Sequence, residues 1–196
     1  MRILAISDVE AKYYYDYYTP GKLDGFDFIL ACGDLNKEYL EFIVTMANCP
    51  LLYVHGNHDE LFDLQPPQGC ICIDDQIYNY QGIRILGLGG SYQYRDGKYM
   101  FTEKQMRQRI RRLKFQLHKS NGFDILVTHS PARHINDFES VSHRGFECFS
   151  MLIEKYKPKY FIHGHVHMNY GANIPRQTIY GDTIIINAYD HFIFYY

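Results

Sequence analysis

Residues 51–59 read LLYVHGNHD, a short apolar run that changes abruptly into a polar tetrapeptide. The run follows Pro50 and has the composition of a buried β-strand. Ligands of open α/β sheets collect beyond the carboxyl ends of the strands, so an amide, an imidazole and a carboxylate at this point indicate a site. Gly, Asn and Asp are also ordinary turn residues. The tetrapeptide alone therefore does not separate a site from a polar turn.

The same arrangement occurs at four other apolar runs, each of which ends in side chains that bind metals well. These runs cover residues 2–7, 26–32, 123–128 and 160–162, and the side chains that follow them are Asp8 and Glu10, Asp34, His129, and His165 and His167. Carboxylate, amide and imidazole groups are typical ligands of divalent metal ions. Together, the five strand ends predict a metal site rather than five unrelated turns.

Two pairs of candidate ligands have a spacing of two residues, namely Asp8 with Glu10 and His165 with His167. In an extended chain, side chains two residues apart point to the same side and lie ~7 Å apart. Two-metal hydrolases hold their ions ~3.5–4 Å apart. Pairs that converge from neighbouring strands therefore suit two adjacent ions rather than one.

Strand and helix patterns alternate in the first part of the chain, whereas strands dominate the last part. Hydrophobic spacing predicts helices over about 36–47, 102–119 and 144–156, and Thr102 with Gln105 fits a capping box. Residues 76–80 and 83–88 predict a β-hairpin, 178–196 is strand-like, and loops are expected at 60–74, 91–101 and 131–143. We expect an α/β fold, a two-sheet α/β sandwich with flanking helices, and a single domain over 1–196.

The composition argues against several classes of protein. The formal net charge of −2 gives no reason to expect a long nucleic-acid partner, and the basic face of the 102–119 helix is interpreted as a solvated surface. The first residues enter a strand pattern directly, and neither a signal peptide nor a membrane-spanning run is expected. The five cysteines are scattered rather than paired, which favours a reducing, cytoplasmic location.

Taken in order, the strand-end motifs resemble those of the calcineurin-like metallophosphoesterases. The motifs are Asp8-x-Glu10, Gly33-Asp34, Gly56-Asn57-His58-Asp59, His129 and Gly164-His165-x-His167, and they span most of the chain. The resemblance implies a two-sheet α/β sandwich, which agrees with the fold expected from the hydrophobic pattern. It also implies two divalent metal ions and hydrolysis of a phosphate ester by a water that the ions activate.

The resemblance also implies a role for each motif residue. Asp34 would bridge the two ions, and the other ligands would be Asp8, Glu10 and His167 at the first ion and Asn57, His129 and His165 at the second. His58 would face the substrate as an acid or charge stabiliser, and Asp59 would orient His58. Arg133 and Arg144, in or next to the 131–143 loop, are candidate phosphate contacts, although a solvated loop is the favoured interpretation.

Glu10 departs from the family pattern, which usually has His at this position. Three carboxylates and a hydroxide balance two divalent ions, so the site would be near neutral, whereas His would leave it at +1. We expect the nearly neutral site to favour a monoanionic phosphodiester over a dianionic monoester. The additional oxygen ligand favours manganese, iron or magnesium over zinc. A weak first site, with catalysis by one ion, is the competing interpretation.

The most specific function that the sequence supports is a metal-dependent phosphoesterase for a small phosphodiester or nucleotide-like substrate. A nucleotide or dinucleoside-polyphosphate hydrolase is an alternative within the same class. A protein-binding scaffold with a degenerate metal site is the alternative from another class, and Glu10 is the feature that supports it. The tyrosines at 13–18 either wall the pocket or cover the core, while His55 and His163 are expected to be packed rather than ligating. No oligomeric state is predicted.

Overall fold

The computed structural model describes residues 1–171 and 174–196. The strands are β1 (Arg2–Ser7), β2 (Phe28–Ala31), β3 (Leu51–Tyr53), β4 (Ile71–Cys72), β5 (Gln76–Tyr80), β6 (Ile83–Leu88), β7 (Ser91–Tyr92), β8 (Met100–Phe101), β9 (Ile125–Thr128), β10 (Tyr160–His163), β11 (Gln177–Tyr180), β12 (Thr183–Asn187) and β13 (Asp190–Tyr195). The α-helices are α1 (Lys37–Ala47), α2 (Glu103–Arg112), α3 (Lys114–Lys119) and α4 (Glu147–Tyr156). Across the described ranges, no helix combines the length and apolar character needed to cross a bilayer.

Two main sheets form the centre of the structure, which confirms the predicted α/β sandwich. The first sheet has the order β13-β1-β2-β3-β4 and the second has the order β11-β12-β10-β9-β6-β5. The strands β1 to β4 run parallel, as do β6, β9, β10 and β12, and antiparallel strands are added at β13, β11 and β5. Parallel strands place their carboxyl ends at one edge of a sheet, which is where the predicted ligands follow.

The main core lies between the two sheets because side chains alternate along each strand. Ile3, Phe28 and Leu52 point from the first sheet into the same cluster as Ile125 and Ile162 of the second. The opposite faces form two further clusters, one under α1 and one under α2, α3 and α4. Sheets covered on both faces explain why the strand sequences read as nearly continuous apolar runs.

Helix and loop boundaries differ from the sequence prediction in four places. The 60–74 segment, expected to be a loop, contains β4, which pairs with β3. The capping box at Thr102 and Gln105 is present, but the 102–119 helix divides at Leu113, whose amide bonds to the Ile110 carbonyl three residues back. The last predicted helix begins at Glu147 rather than 144. The 91–101 segment, expected to be a loop, contains the short parallel pair β7 and β8. Two-residue strands carry too little pattern to be predicted from sequence.

Candidate metal centre

A cavity of about 340 Å³ opens at the carboxyl ends of the parallel strands, where both sheets meet. Eight of the predicted site residues line it: Asp8, Glu10, Asp34, Asn57, His58, Asp59, His165 and His167. His129 is fully buried and contacts three of them from behind the cavity wall. The predicted metal ligands thus come together from β1, β2 and β3 of the first sheet and from β9 and β10 of the second.

We call Asp34, Asn57, His129 and His165 the inner ligand group. Its centre is Nε2 of His129, which lies 3.0 Å from Oδ1 of Asn57, 3.1 Å from Nδ1 of His165 and 3.4 Å from Oδ2 of Asp34. The other ring nitrogen of His129 donates to the Cys32 carbonyl at 2.7 Å. These hydrogen bonds aim Nε2 at the neighbouring ligand atoms, as the outer partner of a ligating histidine does in metal sites.

The inner ligand group requires a positive charge at its centre. His165 donates from Nε2 to the Ser142 carbonyl at 2.6 Å, which leaves its Nδ1 as an acceptor beside the acceptor oxygens of Asp34 and Asn57. Burial alone would lower the pKa of His129, but the Asp34 carboxylate raises it to about 9. A proton on His129 therefore neutralises the group, and a divalent ion competes for the same place. The donor set fits such an ion.

The pKa values of the two histidines in the inner ligand group are shifted in opposite directions. Burial, together with the charge of His129, lowers the pKa of His165 to about 3, so its imidazole is a neutral ligand. Burial would raise the pKa of the Asp34 carboxyl, but the His129 imidazole and the His58 backbone amide hold it well below its usual range. Asp34 is therefore an ionised carboxylate in the physiological range of pH.

We call Asp8, Glu10 and His167 the outer ligand group. Nε2 of His167 lies 3.5 Å from Oδ1 of Asp8, whose carboxylate also accepts the His165 backbone amide at 2.9 Å. Glu10 lines the same cavity, and its carboxylate accepts a hydrogen bond from the side-chain amide of Asn36. The structure therefore brings Asp8 and His167 together directly, whereas Glu10 is held at the cavity wall by Asn36.

The backbone at the strand ends is strained where it presents ligands. Asp8, Asp34 and His165 have φ values of 68°, 55° and 65°, in the left-handed region that residues other than Gly rarely adopt. A Cβ atom on Gly56 would collide with the Asp34 carboxylate, and one on Gly164 would collide with Ser7 and Asp8. The motif glycines therefore provide the room in which the ligand carboxylates lie.

Asp59 has a different contact from the one that the sequence predicted. Its carboxylate accepts the backbone amides of Gly56 at 2.7 Å and Asp34 at 2.9 Å, rather than the ring of His58. Burial and the nearby charge of Asp34 raise the pKa of Asp59 to about 6. Asp59 therefore does not orient the ring of His58 through a hydrogen bond, as predicted. It fixes the two ligand loops to each other.

His58 is exposed at the cavity and is held through its backbone. Its amide donates to Oδ1 of Asp34 at 2.9 Å, while Nδ1 of its ring lies 3.4 Å from the guanidinium of Arg95. Because a guanidinium has only donors, it faces an unprotonated Nδ1. In that tautomer the Nε2–H group of His58 is the one that can donate a hydrogen bond.

The structure does not place Arg133 or Arg144 among the residues that line the cavity, and their role as phosphate contacts stays a prediction. Arg133 forms ion pairs of 2.8 Å with Asp137 and Glu139 of its own loop. Arg144 is half-buried with its guanidinium 5.7 Å from the ring of Tyr92. Acidic residues four and six positions after Arg133 were a signal, visible in the sequence, that it has nearer partners.

Aromatic residues line the cavity, but they are not the tyrosines at 13–18. Tyr14 is buried, and Tyr15 and Tyr18 pack edge-on against Phe42, so these three tyrosines cover the core, whereas Tyr13 and Tyr17 are exposed. The cavity is instead lined by Tyr94, Tyr170 and His143, together with Leu35, Asn36 and Ser142. The ring of Tyr170 stacks on His167 with centroids 4.7 Å apart. In the sequence, the signal that Tyr170 lies near the site was its position three residues after the predicted ligand His167.

His55 and His163 are buried, as the sequence predicted. His163 is fully enclosed, and burial lowers its pKa to about 4. His55 forms a second group of potential ligands with Cys72 and Asp74. Burial opposes its charge, but a 2.7 Å hydrogen bond to Asp74 raises the pKa of His55 to about 9. This group therefore holds a proton in an ion pair, and its residues do not line the cavity where the predicted ligands meet.

Comparison with solved structures shows the same fold. One crystal structure covers 98% of this chain and 93% of its own with a TM-score of 0.69 at 13% identity. The structure of TT1561 from Thermus thermophilus covers 96% of this chain and 89% of its own, with a TM-score of 0.64 at 15% identity. At these identities the likeness concerns the fold alone.

Sequence comparison extends the likeness to a family. The chain is 26% identical over 191 residues to the UPF0046 protein C25E10.12 of Caenorhabditis elegans, across 80% of this chain but 62% of that protein. It therefore spans less than two thirds of this relative's length. The model of the calcineurin-like phosphoesterase family matches residues 1–169, which include every predicted ligand. Family membership supports a metal-dependent phosphoesterase, and the chain belongs to the calcineurin-like phosphoesterase family.

Proposed function

We propose that this protein hydrolyses a phosphodiester or a small nucleotide-like phosphate ester at a binuclear metal site. The observation that carries the proposal is the inner ligand group, in which Asp34, Asn57 and His165 surround Nε2 of His129 within 3.4 Å. Such a set of ligand atoms suits a bound cation, and it borders an open cavity that a substrate can enter.

The outer ligand group supports a second ion. Asp8 and His167 lie within 3.5 Å of each other on the same cavity, and Glu10 adds a carboxylate to its wall. Asp34 contacts the inner group and lines the cavity, so its carboxylate is the natural bridge. We propose manganese as the preferred metal, with iron, magnesium or zinc as alternatives, because oxygen ligands form most of the outer group.

The bound ions would supply an activated water at neutral pH and offset negative charge on the phosphoryl oxygens. The residues of the chain have the remaining tasks. Asp34 and Asp59 hold the two ligand loops together through the backbone amides of His58, Gly56 and Asp34. His58, exposed at the cavity, would act on the oxygen of the leaving group, as an acid when its ring is protonated or as a hydrogen-bond donor that stabilises the developing charge. General acid catalysis of this kind contributes ~10²–10⁴-fold.

The charge of the site supports a diester or an ester of similar charge. The three ligand carboxylates Asp8, Glu10 and Asp34 line the cavity together with the carboxyl group of Asp59, and none of the described residues that line it is Lys or Arg. A dianionic monoester is attracted less strongly to a nearly neutral site than to a positive one. A monoanionic diester carries less charge, so the same change of site costs it less attraction. The aromatic rings of Tyr94 and Tyr170 provide stacking surfaces for a base or an aryl group.

The test is hydrolysis of bis(p-nitrophenyl) phosphate by the purified protein with manganese, after chelation, and after manganese is restored. We expect activity that disappears with the chelator and returns with the metal. His58→Ala should then lower kcat by about 10²–10⁴-fold with unchanged metal content. A folded protein that binds no divalent ion and cleaves no phosphate ester would contradict the proposal and favour a binding scaffold.

A further inference from the structure

A second cluster of potential metal ligands lies outside the cavity where the inner and outer ligand groups meet. We call its members, His55, Cys72 and Asp74, the cysteine ligand group. Nδ1 of His55 lies 2.7 Å from Oδ2 of Asp74 and 3.9 Å from Sγ of Cys72, and the three ligand atoms all lie within 4.8 Å of one another. None of the three residues lines that cavity. The group therefore combines an imidazole, a thiol and a carboxylate at a place that the proposed catalysis does not use.

The register of the first sheet brings these side chains together. β3 and β4 run parallel, and Tyr53 pairs with Cys72. Neighbouring strands lie ~4.8 Å apart, and side chains two residues apart along an extended chain share a face. His55, two residues after Tyr53, therefore falls on the same face as Cys72 and Asp74. The Ile73 amide donates to the Tyr53 carbonyl at 2.9 Å, which continues the pairing beyond the end of β4.

The surrounding residues hold the ligand atoms of His55 and Asp74 in place. The ring of Tyr99 stacks on the His55 ring at 4.3 Å, and the Tyr99 hydroxyl donates to Asp63 at 2.9 Å. Oδ1 of Asp74 accepts the Gly89 backbone amide at 2.6 Å, which leaves Oδ2 to contact His55. The side chains of His55 and Asp74 are only 9% and 13% exposed. Two of the three ligands are thus preorganised, as in a site that loses little conformational freedom when it binds an ion.

The charge of the cysteine ligand group suits a divalent ion. A Cys72 thiolate and the Asp74 carboxylate together carry two negative charges, which a divalent ion neutralises. The guanidinium of Arg109 lies 3.9 Å from Oδ1 of Asp74 and makes a closer ion pair of 2.9 Å with Asp75, so it leaves Oδ2 of Asp74 to the group. A second cavity, of about 480 Å³, is lined by His55 and Asp74 and gives an ion and a water molecule access to the group.

We propose that the cysteine ligand group binds zinc through Nδ1 of His55, Sγ of Cys72 and Oδ2 of Asp74, with a water molecule from the second cavity as the fourth ligand. Zinc binds these three kinds of side chain at ~2.0–2.3 Å in tetrahedral sites. Two such ligands lie roughly 3.3–3.6 Å apart. The 3.9 Å between nitrogen and sulfur is close to this range, whereas the 2.7 Å between nitrogen and oxygen must widen by about 0.6 Å when zinc replaces the shared proton.

Zinc is favoured over manganese here because a thiolate is a soft ligand, whereas oxygen ligands form most of the outer ligand group. Binding exchanges protons for the metal: the thiol proton of Cys72 and the proton shared by His55 and Asp74 pass to solvent. His55, expected from the sequence to be packed rather than ligating, would then be both. The zinc would attach the residue that precedes the 56–59 motif to β4, which gives it a structural role rather than a role in hydrolysis.

The experiment uses cobalt as a spectroscopic probe of the zinc site. Cobalt bound to a thiolate has an intense charge-transfer band in the near ultraviolet, and neither the inner nor the outer ligand group contains a cysteine. The metal-free protein is titrated with Co²⁺ and then with Zn²⁺. We expect the band to rise until one cobalt ion per chain occupies this site. It should then disappear as zinc replaces the cobalt, since thiolate ligands favour zinc.

Two serine variants separate the cysteine ligand group from the other thiols. Cys72→Ser should lose the charge-transfer band and, when loaded with zinc in excess manganese, should hold one fewer zinc ion per chain by elemental analysis. Cys70→Ser is the matched control and should keep both the band and the zinc. Cys70 is also half-buried, but its Sγ lies 3.7 Å from the Leu40 carbonyl oxygen. Circular dichroism checks that both variants are folded.

Absence of the band from the folded wild type would overturn the proposal, because that result needs no variant. A band that persists in Cys72→Ser, or one that disappears in a folded Cys70→Ser, would equally contradict the assigned ligands. The measurement uses no phosphate ester. Its outcome is therefore independent of whether the protein proves to be a phosphoesterase.

Discussion

The inner and outer ligand groups are built from the same kinds of side chain but differ in how firmly they are held. In the inner group, His129 is completely buried, and both its ring nitrogens and those of His165 have defined partners. In the outer group, the side chain of His167 is 30% exposed, and Glu10 is bonded to Asn36 instead of another ligand. Burial and hydrogen bonding outside the ligand set distinguish a preorganised site from one that the ion must complete.

This difference implies an order of metal affinity. A preorganised group loses little conformational freedom on binding, whereas an exposed histidine and a glutamate must be ordered by the ion. The inner group should therefore bind manganese more tightly than the outer one. Four substitutions test this difference, and the expected effects decrease from the first to the last.

His129→Ala should have the largest effect, because it removes the centre of the inner group. We expect one fewer manganese ion per chain by elemental analysis, and kcat/KM for bis(p-nitrophenyl) phosphate at the level of the chelated protein. Loss of several kcal/mol of transition-state stabilisation corresponds to about 10³-fold or more. Circular dichroism controls for folding, since His129 is buried. Full activity in a folded variant would contradict the inner site.

His167→Ala is the matched change in the outer group and should have a smaller effect. We expect the inner ion to be retained, weaker binding of the second manganese, and kcat/KM lowered by about 10–100-fold, with partial recovery at high manganese. A titration of activity against metal concentration measures this. Two ions lost together, or none, would show that the two groups do not bind independently.

Glu10→His should change substrate preference more than rate. One unit of charge near the phosphoryl group is worth ~1 kcal/mol at the dielectric of a partly exposed site, so the ratio of diester to monoester kcat/KM should fall about fivefold. The two p-nitrophenyl phosphates provide the measurement. Glu10→Gln, which removes the charge without adding an imidazole, controls for the change of ligand. An unchanged ratio would rule out the charge argument.

Asn36→Ala should have the smallest effect, because Asn36 touches only a ligand and not the ion. Loss of its hydrogen bond to Glu10 should weaken the second manganese by about threefold, at the low end of what one hydrogen bond contributes, and leave the first unchanged. Competition with a fluorescent chelator gives both constants. Tighter binding in the variant would mean that Asn36 holds Glu10 away from the metal rather than presenting it.

The residues of the site could be predicted from sequence because each ligand directly follows an apolar strand. The strands β1, β2, β9 and β10 are buried on both faces and therefore form continuous apolar runs, and their parallel pairing brings their ends together. The features that the sequence did not predict depend on contacts between segments that are far apart in the chain. Asp59 bonds to Asp34, which is 25 residues away, and no local pattern reports such a contact.

The same limit applies to the loops. Arg133 was a candidate because of its charge, but its partners Asp137 and Glu139 lie in its own loop. Tyr94, Arg95 and Tyr170 reach the cavity region through loop conformations that no hydrophobic period encodes. The ligands could thus be read from strand ends, whereas substrate contacts depend on loop packing.

The inner ligand group takes Asp34 and Asn57 from one sheet and His129 and His165 from the other. An ion bound there would therefore also cross-link two halves of the sandwich that share an apolar core and hydrogen bonds such as the one from His129 to the Cys32 carbonyl. By mass action, a ligand at a hundred times its dissociation constant adds about 2.7 kcal/mol to the stability of the folded state. The melting temperature should rise with manganese concentration, and the edge of the sandwich should exchange its amide hydrogens more slowly. A metal ion bound in the inner ligand group would therefore stabilise the fold in addition to its proposed role in catalysis.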